Sequence, residues 1–224
     1  MVVPAIPGRW AHTSLTCVTI MIVIIDYGLG NLASIGNMLK RIGVDAIISS
    51  NRDAIARADK LVLPGVGTFD VGMRNLIDRD FVTILHERVL EEQTPILGIC
   101  LGLQLFGVES AEGTRPGLGW LDARSVPFHS PPLGPPRVPH MGWNNLKPRT
   151  ASHFLDDLPE DSRFYFVHSY HLECHDPEDI VAVTRYGYEF PSVVVHGNVL
   201  GTQFHPEKSH RFGASLMANF ARYT

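Results

Sequence analysis

Cysteine is scarce in this chain of 224 residues, which contains three: Cys17, Cys100 and Cys174. They are far apart and form no C-x-x-C pair, which argues against a disulfide framework and is typical of a reducing compartment. The chain also lacks a long apolar run, because the stretch 18–25 is far shorter than the roughly 20 residues of a membrane-spanning helix. We therefore expect a cytoplasmic protein with neither an export signal nor a membrane anchor.

Blocks of basic residues are also missing. The 19 Lys and Arg residues are outnumbered by 23 Asp and Glu residues, and the net charge is -4. This balance argues against nucleic acid or an anionic membrane as the main partner and favours small-molecule chemistry. The hydrophobic content of 45% is sufficient for the core of one enzyme-sized domain.

The first 20 residues differ from the rest of the chain. They contain prolines and no clear period, whereas Met21 directly precedes the first strong strand pattern. We expect a loose N-terminal extension over 1–20, with Met21 as an alternative translation start, followed by one domain over 21–224.

The hydrophobic pattern predicts an α/β fold. Strand-like runs at 22–26, 46–49, 60–63 and 95–99 alternate with helical patterns, including two helices within 70–93 and one at 103–108. Such alternation is typical of a mainly parallel sheet with helices on both faces. The second half predicts antiparallel strands at 164–172, 180–186, 192–195 and 199–204, followed by a helix at 209–223.

A glycine motif after the first strand raises the question of a dinucleotide site. Gly28, Gly30 and Ala33 form G-x-G-x-x-A, which in such enzymes brings a pyrophosphate to a helix N-terminus. The acidic residue expected about 20 positions later is missing. Arg52 could instead accommodate the phosphate of a phosphorylated dinucleotide, so this cofactor is left as an alternative. The alternative is a glycine turn that lets a helix pack closely on its strand, and we expect no cofactor.

The segment Gly98-Ile99-Cys100-Leu101-Gly102 has the pattern of a nucleophile elbow. The flanking glycines permit a strained turn between strand and helix, which exposes the central side chain above the sheet. A helix N-terminus there favours the thiolate of Cys100. The alternative is a structural cysteine in an apolar strand.

A base and its orienting group follow in Phe204-His205-Pro206-Glu207. Because Pro206 disfavours a helical conformation at His205, we expect an extended segment in which His205 and Glu207 point the same way. Glu207 could then fix the imidazole tautomer, as the acid does in a Ser-His-Asp triad. The alternative is a solvated turn before a helix. The order Cys, His, Glu differs from that of α/β-hydrolases, which disfavours a common esterase.

Acyl chemistry also requires an oxyanion hole. Gly65 and Gly67 follow a strand at the same edge of the sheet, so their loop could direct a backbone N–H to the site, with the Leu101 amide as a second donor. The histidine-rich stretch 168–175 could suggest a metal site. However, positions 168 and 171 of a continuous strand face opposite sides and no zinc spacing occurs, so we expect no metal.

Five segments together resemble the triad-type, class I glutamine amidotransferases, and in particular the glutaminase subunit of imidazole glycerol phosphate synthase. The resemblance runs from about Met21 to the C-terminus. The segments are LPGVGTF (63–69), GICLGLQLF (98–106), RVPHMGWN (137–144), YFVHSYH (165–171) and GTQFHPEKS (201–209).

The resemblance implies a flavodoxin-like, three-layer fold and a specific chemistry. Cys100 would attack the glutamine carboxamide, His205 would transfer the proton and Glu207 would orient the ring. The glutamyl thioester would then be hydrolysed to glutamate. The resemblance also implies oxyanion and glutamine-binding roles for Gly65, Val66, Gly67, Leu101, Gln104, Ser169 and Tyr170.

The resemblance further implies a heterodimer with a (β/α)8-barrel cyclase, which uses the ammonia to make imidazole glycerol phosphate and an aminoimidazole carboxamide ribotide in histidine biosynthesis. The positions that match the family's interface are Asn31, His140, Trp143, Tyr165 and Lys208. Trp143 could also be an ordinary core aromatic, and DYGLGN is expected to be a structural and interface loop. Alternatives are a paralogous glutaminase with another ammonia acceptor, a non-catalytic binding subunit, and a cysteine peptidase of similar fold.

Overall fold

The computed structural model describes residues 20–129 and 137–224. The predicted N-terminal extension over 1–20 therefore lies outside the described residues apart from Ile20, and so do Cys17 and the proline-rich residues 131–136. Within the described ranges, no helix is long and apolar enough to cross a membrane.

Strands and helices alternate in the first half, and strands dominate the second. The strands are β1 (Ile22–Ile25), β2 (Ala46–Ser49), β3 (Lys60–Gly65), β4 (Ile96–Cys100), β5 (Glu109–Ser110), β6 (Ala123–Pro127), β7 (His140–Asn145), β8 (Lys147–Pro148), β9 (Arg163–His168), β10 (Tyr170–Cys174), β11 (Ile180–Tyr186), β12 (Tyr188–His196) and β13 (Val199–Thr202). The α-helices are α1 (Leu32–Arg41), α2 (Arg52–Ala56), α3 (Phe69–Asp78), α4 (Phe81–His86), α5 (Leu101–Gln104) and α6 (His210–Arg222). A π-helix (Glu87–Glu91) continues α4, and 3-10 helices span His153–Leu155, Pro177–Asp179 and Pro206–Lys208.

An eight-stranded sheet forms the centre, in the order β2-β1-β3-β4-β13-β12-β11-β8. The pairs from β2 to β13 are parallel, and those from β13 to β8 are antiparallel. The prediction of an α/β fold with a mainly parallel first half and antiparallel strands in the second is confirmed. Two smaller sheets, β10-β6-β5 and β7-β9, complete the architecture.

Both faces of the main sheet are buried, which explains why its parallel strands are continuously apolar. On one face, Val23 and Ile25 pack in a core with residues of α3, α4 and α5. On the other, Ile22 and Ile24 pack in a second core with residues of α1 and α6. Because β1, β3, β4 and β13 run parallel, their carboxyl ends lie at the same edge of the sheet. Cys100 and the loops that follow these strands meet at this edge.

Two predicted elements differ from the structure. The predicted strand 164–172 is interrupted at Ser169, and its halves β9 and β10 pair with β7 and β6 in different sheets. The helix predicted at 103–108 is α5, which begins directly after Cys100 and ends at Gln104. It ends early because the carbonyl of Phe106 accepts the backbone N–H groups of Trp120 and Leu121, which draw the chain away from a helical path.

Candidate active site

Cys100 occupies a strained turn between β4 and α5. Its φ is 55°, in the left-handed region that non-glycine residues rarely adopt. The turn also needs the following glycine, because a Cβ on Gly102 would lie 1.9 Å from the carbonyl oxygen of Leu63. Strain of this kind is often found at functional sites, and here it brings the Cys100 side chain to the wall of a pocket.

His205 and Glu207 form a buried pair at the same pocket. The Nδ1 atom of His205 lies 2.9 Å from Oε1 of Glu207, and both side chains are 2% exposed. The backbone of His205 is fixed by its N–H bond to the carbonyl of Tyr165 (2.9 Å) and by the Ser209 hydroxyl, which donates to its carbonyl (2.6 Å). His205 is extended as predicted, but Pro206–Lys208 is a 3-10 helix. Glu207 thus reaches the ring through a turn, and the predicted extended geometry is wrong.

The environment of His205 favours its protonated form. Burial lowers the pKa of His205, but the neighbouring Cys100 and the hydrogen-bonded Glu207 outweigh burial and raise it to about 9. The Nε2 atom has no regular hydrogen-bond partner among the described residues, so we take Cys100 to be a close neighbour of the ring rather than a hydrogen-bonded one. Contacts of this kind often tighten only when substrate binds.

The pocket has a volume of about 410 Å³. Of the residues that the resemblance assigned to the oxyanion hole and to glutamine, it contains Val66, Gly67, Leu101, Gln104, Ser169 and Tyr170. Gly65 lies behind the wall, where a Cβ would come within 2.5 Å of the Gly102 nitrogen. The lining also includes residues that the sequence analysis missed: Glu112, Pro139, Val167 and His168.

The glycine motif after β1 and the adjacent Tyr27 contact the end of β3, next to this pocket. The hydroxyl of Tyr27 donates to the carbonyl of Pro64 (2.6 Å), and burial raises the pKa of Tyr27, which keeps it protonated. Gly30 has a φ of 104°, and a Cβ there would lie 2.7 Å from Cβ of Pro64. The motif thus packs against Pro64 near the end of β3, directly before the loop with Val66 and Gly67.

Two buried glutamines connect the pocket wall to the Cys100 sulfur. Nε2 of Gln104 donates to the carbonyl of Tyr170 (2.9 Å) and to Oε1 of Gln203 (3.1 Å). Nε2 of Gln203 in turn lies 3.7 Å from the sulfur. Gln203 is not among the residues predicted from the sequence, although its position two residues before His205 was a usable signal.

The histidines after β9 belong to an aromatic cluster. The rings of both His168 and His171 contact Phe128 and Phe190, so the prediction that they face opposite sides is wrong, because the break at Ser169 resets the alternation. Nδ1 of His140 lies 3.0 Å from Nε2 of His168. Burial lowers the pKa of His168 to about 3 and that of His140 to about 4.

Nothing in the described ranges resembles a metal centre. These residues contain no group of three or more His, Cys, Asp or Glu side chains that could hold an ion. Burial also raises the pKa of Cys174 to about 12, so its thiol stays protonated.

The predicted interface positions are divided by the fold. Trp143 is 45% exposed, packs beside Tyr165 and stacks on His210, while the Lys208 ammonium lies 5.7 Å from the Tyr165 ring centroid. Asn31, which is also exposed, precedes α1, which contacts the Pro206–Lys208 turn. His140, in contrast, is 2% exposed, so its side chain does not reach the surface on which Trp143 lies, and its assignment to the interface stays a prediction.

Comparison with known proteins adds independent information. The family model described as "Glutamine amidotransferase class-I" matches residues 23–223. The chain is 50% identical over 200 residues to the imidazole glycerol phosphate synthase subunit HisH 2 of Pseudomonas aeruginosa, which covers 89% of this chain and 98% of that protein. It is also 50% identical over 202 residues to HisH 2 of Methanococcus maripaludis, with 90% and 99% covered.

Solved structures share the fold at low identity. A putative GMP synthase subunit from Thermoplasma acidophilum superimposes with a TM-score of 0.68 at 20% identity, covering 91% of this chain and 93% of that one. The structure of PurLQS from Thermotoga maritima gives a TM-score of 0.67 at 17% identity, with 92% and 99% covered.

Proposed function

The chain belongs to the class I glutamine amidotransferase family, among the HisH subunits of imidazole glycerol phosphate synthase, and we propose that Cys100, His205 and Glu207 are its catalytic triad. This membership makes it a glutamine amidotransferase of histidine biosynthesis. The observation that carries the triad is the buried His205–Glu207 pair at the wall of the pocket that also contains Cys100.

The first half of the reaction forms a thioester. The Cys100 sulfur attacks the carboxamide carbon of glutamine, and the developing oxyanion is stabilised by backbone N–H groups of Leu101 and of the loop at Val66 and Gly67. The thiol proton passes to His205 as the sulfur attacks, and the raised pKa of His205, about 9, favours this protonated ring. His205 delivers this proton from Nε2 to the departing nitrogen, so that ammonia leaves and the glutamyl thioester remains.

The second half restores the enzyme. His205 takes a proton from water, the resulting hydroxide attacks the thioester, and the sulfur leaves as glutamate forms. Glu207 accepts the Nδ1–H bond throughout and stabilises the charged ring. The sum is glutamine plus water to glutamate plus ammonia.

The size of the pocket suits one amino acid. A volume of about 410 Å³ lies near the lower end of ligand sites. Ser169 lies at the break between β9 and β10, and Tyr170 is the first residue of β10. Both line the pocket, and we assign them to glutamine binding. The Nε2 group of Gln104 is already bonded within the protein, so a role in substrate binding is left to its oxygen.

Ammonia release requires an acceptor, which we propose to be a (β/α)8-barrel cyclase subunit. Val138, Met141 and Trp143 expose 52%, 61% and 45% of their surface, and Pro139, between them, lines the pocket. We call this patch, together with Tyr165 and Lys208, the β7 surface. Exposed apolar and aromatic side chains in one patch are typical of an interface, and this one adjoins the site of ammonia release.

The test is to follow glutamate release after mixing the chain with the cyclase partner and its ribonucleotide ligand. We expect activity in the mixture that is low without the partner and disappears in Cys100→Ala. Activity that persists without Cys100 would refute the triad. No glutamate from a mixture whose cyclase works on free ammonia would favour a non-catalytic binding subunit.

A further inference from the structure

The orientation of the Gln203 amide follows from its neighbours. The carbonyl oxygen of Tyr170 can only accept hydrogen bonds, so the Gln104 atom 2.9 Å away must be its NH₂ group. That NH₂ group also faces Gln203 at 3.1 Å, so the atom of Gln203 there must be its oxygen. The other terminal atom of Gln203 is therefore the NH₂ group, and it points at the Cys100 sulfur.

The environment holds this amide in place. Gln203 is fully buried, its backbone N–H donates to the carbonyl of Ser192 (3.0 Å), and Gln104 is only 4% exposed. A reversed amide would place two NH₂ groups against each other and an oxygen against the sulfur, leaving buried donors unpaired. The donor is thus directed at the sulfur before any substrate arrives.

Cys100 has two competing partners. Its sulfur lies 3.9 Å from the carbonyl of Val167, which can accept only from the neutral thiol. Gln203 can donate to the sulfur, and a hydrogen bond to an ionised acceptor is about twice as strong as one to a neutral acceptor. The two neighbours therefore favour different protonation states of Cys100. The Val167 carbonyl stabilises the thiol, and the Gln203 amide stabilises the thiolate.

We propose that Gln203 is a positioning residue for the glutaminase reaction, whose amide donates to the Cys100 sulfur and stabilises the thiolate away from Val167. This inference rests on the proposed function, because it assigns Gln203 to the nucleophile of that reaction. Gln104 and the Tyr170 carbonyl complete the arrangement by fixing the amide.

The test uses Gln203→Met, which keeps the length and volume of the side chain but removes the donor. The probe is iodoacetamide, and the readout is the alkylation rate of the full chain from pH 5 to pH 10. The rate for Cys100→Ala is subtracted, because Cys174 is also free. We expect the midpoint of the pH profile to rise by about one unit, corresponding to roughly tenfold less thiolate near neutral pH. The kcat with the partner should fall by a similar factor while KM changes little.

Matched variants separate positioning from packing. Gln93→Met makes the same chemical change at an exposed site and should leave the profile in place. Gln104→Met leaves Gln203 present but unoriented and should give a smaller shift in the same direction. Gln203→Glu also keeps the volume but places a negative oxygen near the sulfur, so the midpoint of its pH profile should rise above that of Gln203→Met.

The outcomes distinguish this inference from the proposed function. If Gln203→Met and Gln203→Glu both retain the wild-type profile, Gln203 does not position the thiolate, whatever their stability. If Cys100→Ala keeps glutaminase activity, the proposed function fails, even where the alkylation profiles differ. If Gln203→Met does not fold, Gln104→Met decides, and an unshifted profile there overturns the inference.

Discussion

His205 and His168 both line the Cys100 pocket and are both buried, yet their pKa values move in opposite directions. Burial lowers the pKa of each. His205 has a carboxylate and a thiol beside it, which reverse the effect, whereas His168 is bonded to a carbonyl and to His140. Negative charge next to the His205 ring therefore favours its protonated form, and the absence of such charge keeps the His168 ring neutral.

Glu207→Gln tests this charge. The amide keeps the shape of the side chain but removes the charge that raises the pKa of His205, so the pKa of the ring should fall. The proton needed by the departing ammonia would then be lost at lower pH. We expect the alkaline limb of the kcat profile to move to lower pH and kcat to fall roughly a hundredfold or more. Glu178→Gln at an exposed site is the control, and an unmoved limb in Glu207→Gln would contradict the assignment.

The pH dependence of the free energy of unfolding tests the lowered pKa of His168. The pKa of His168 falls from an ordinary 6.5 to about 3 on folding, so below pH 6.5 the unfolded chain binds more protons than the folded one. Stability should therefore decrease as the pH falls from 6.5 toward 3, and His168 alone should cost roughly 2 kcal/mol between pH 7 and pH 5.

The measurement is urea unfolding at those two pH values. His168→Gln should lose less unfolding free energy between them than the wild type. His153→Gln, at an exposed histidine, should respond to pH as the wild type does. Equal losses in His168→Gln and the wild type would show that His168 does not control the acid response.

At the scale of elements, the site depends on how closely β3, β4 and α5 approach one another. Gly102 begins the turn of α5 directly against the Leu63 carbonyl in β3, and Gly65 at the end of β3 lies against the Gly102 nitrogen. Glycine is required here by space, because any Cβ would separate the turn at Cys100 from the loop at Val66 and Gly67. The distance between the candidate nucleophile and the candidate oxyanion donors is thus set by backbone packing.

Gly102→Ala should therefore destabilise the fold. The new Cβ would lie 1.9 Å from the Leu63 oxygen, and we expect a loss of at least about 1–3 kcal/mol in urea unfolding. Gly36→Ala is the matched control, because a Cβ there would only reach ordinary contacts at 3.7 Å in the middle of α1. It should be neutral or stabilise by up to about 1 kcal/mol. Similar effects at the two positions would contradict the close-packing argument.

At the scale of the whole molecule, the β7 surface and the pocket are built on the same pair of strands, β7 and β9. The strand that exposes Met141 and Trp143 is paired with β9, which carries Val167 and His168 into the pocket wall. A partner bound to this surface would thus lie within one strand of the candidate nucleophile. This proximity supports ammonia transfer without loss to solvent.

Trp143→Ala should weaken the complex without unfolding the chain. Trp143 is 45% exposed, so its removal should change the free energy of unfolding little, whereas the Kd for the cyclase partner should rise roughly tenfold to a hundredfold. Titration with the cyclase measures the Kd. Leu90→Ala, at a residue 47% exposed on the π-helix, is the control and should not affect binding. An unchanged Kd for Trp143→Ala would show that Trp143 is not part of the interface with the cyclase.

Local sequence was sufficient for the fold class and for most elements. Buried parallel strands are continuously apolar and amphipathic helices repeat at 3.6 residues, so β1, β3, β4 and α6 were predictable from neighbours in the chain. The same holds for the glycines around Cys100 and for the extended His205, because both depend on the local backbone. The roles of the predicted site residues remain predictions, although the fold brings Cys100 and His205 to one pocket.

Other features depended on contacts between distant parts of the chain. The break at Ser169 follows from pairing with two different sheets, and the burial of His140 follows from aromatic rings supplied by other strands. The orientation of the Gln203 amide is fixed only by Gln104 and Tyr170, which are far away in sequence. Periodicity reports which face of an element is buried, whereas the partner of a buried polar group is chosen by the topology that brings separate elements together.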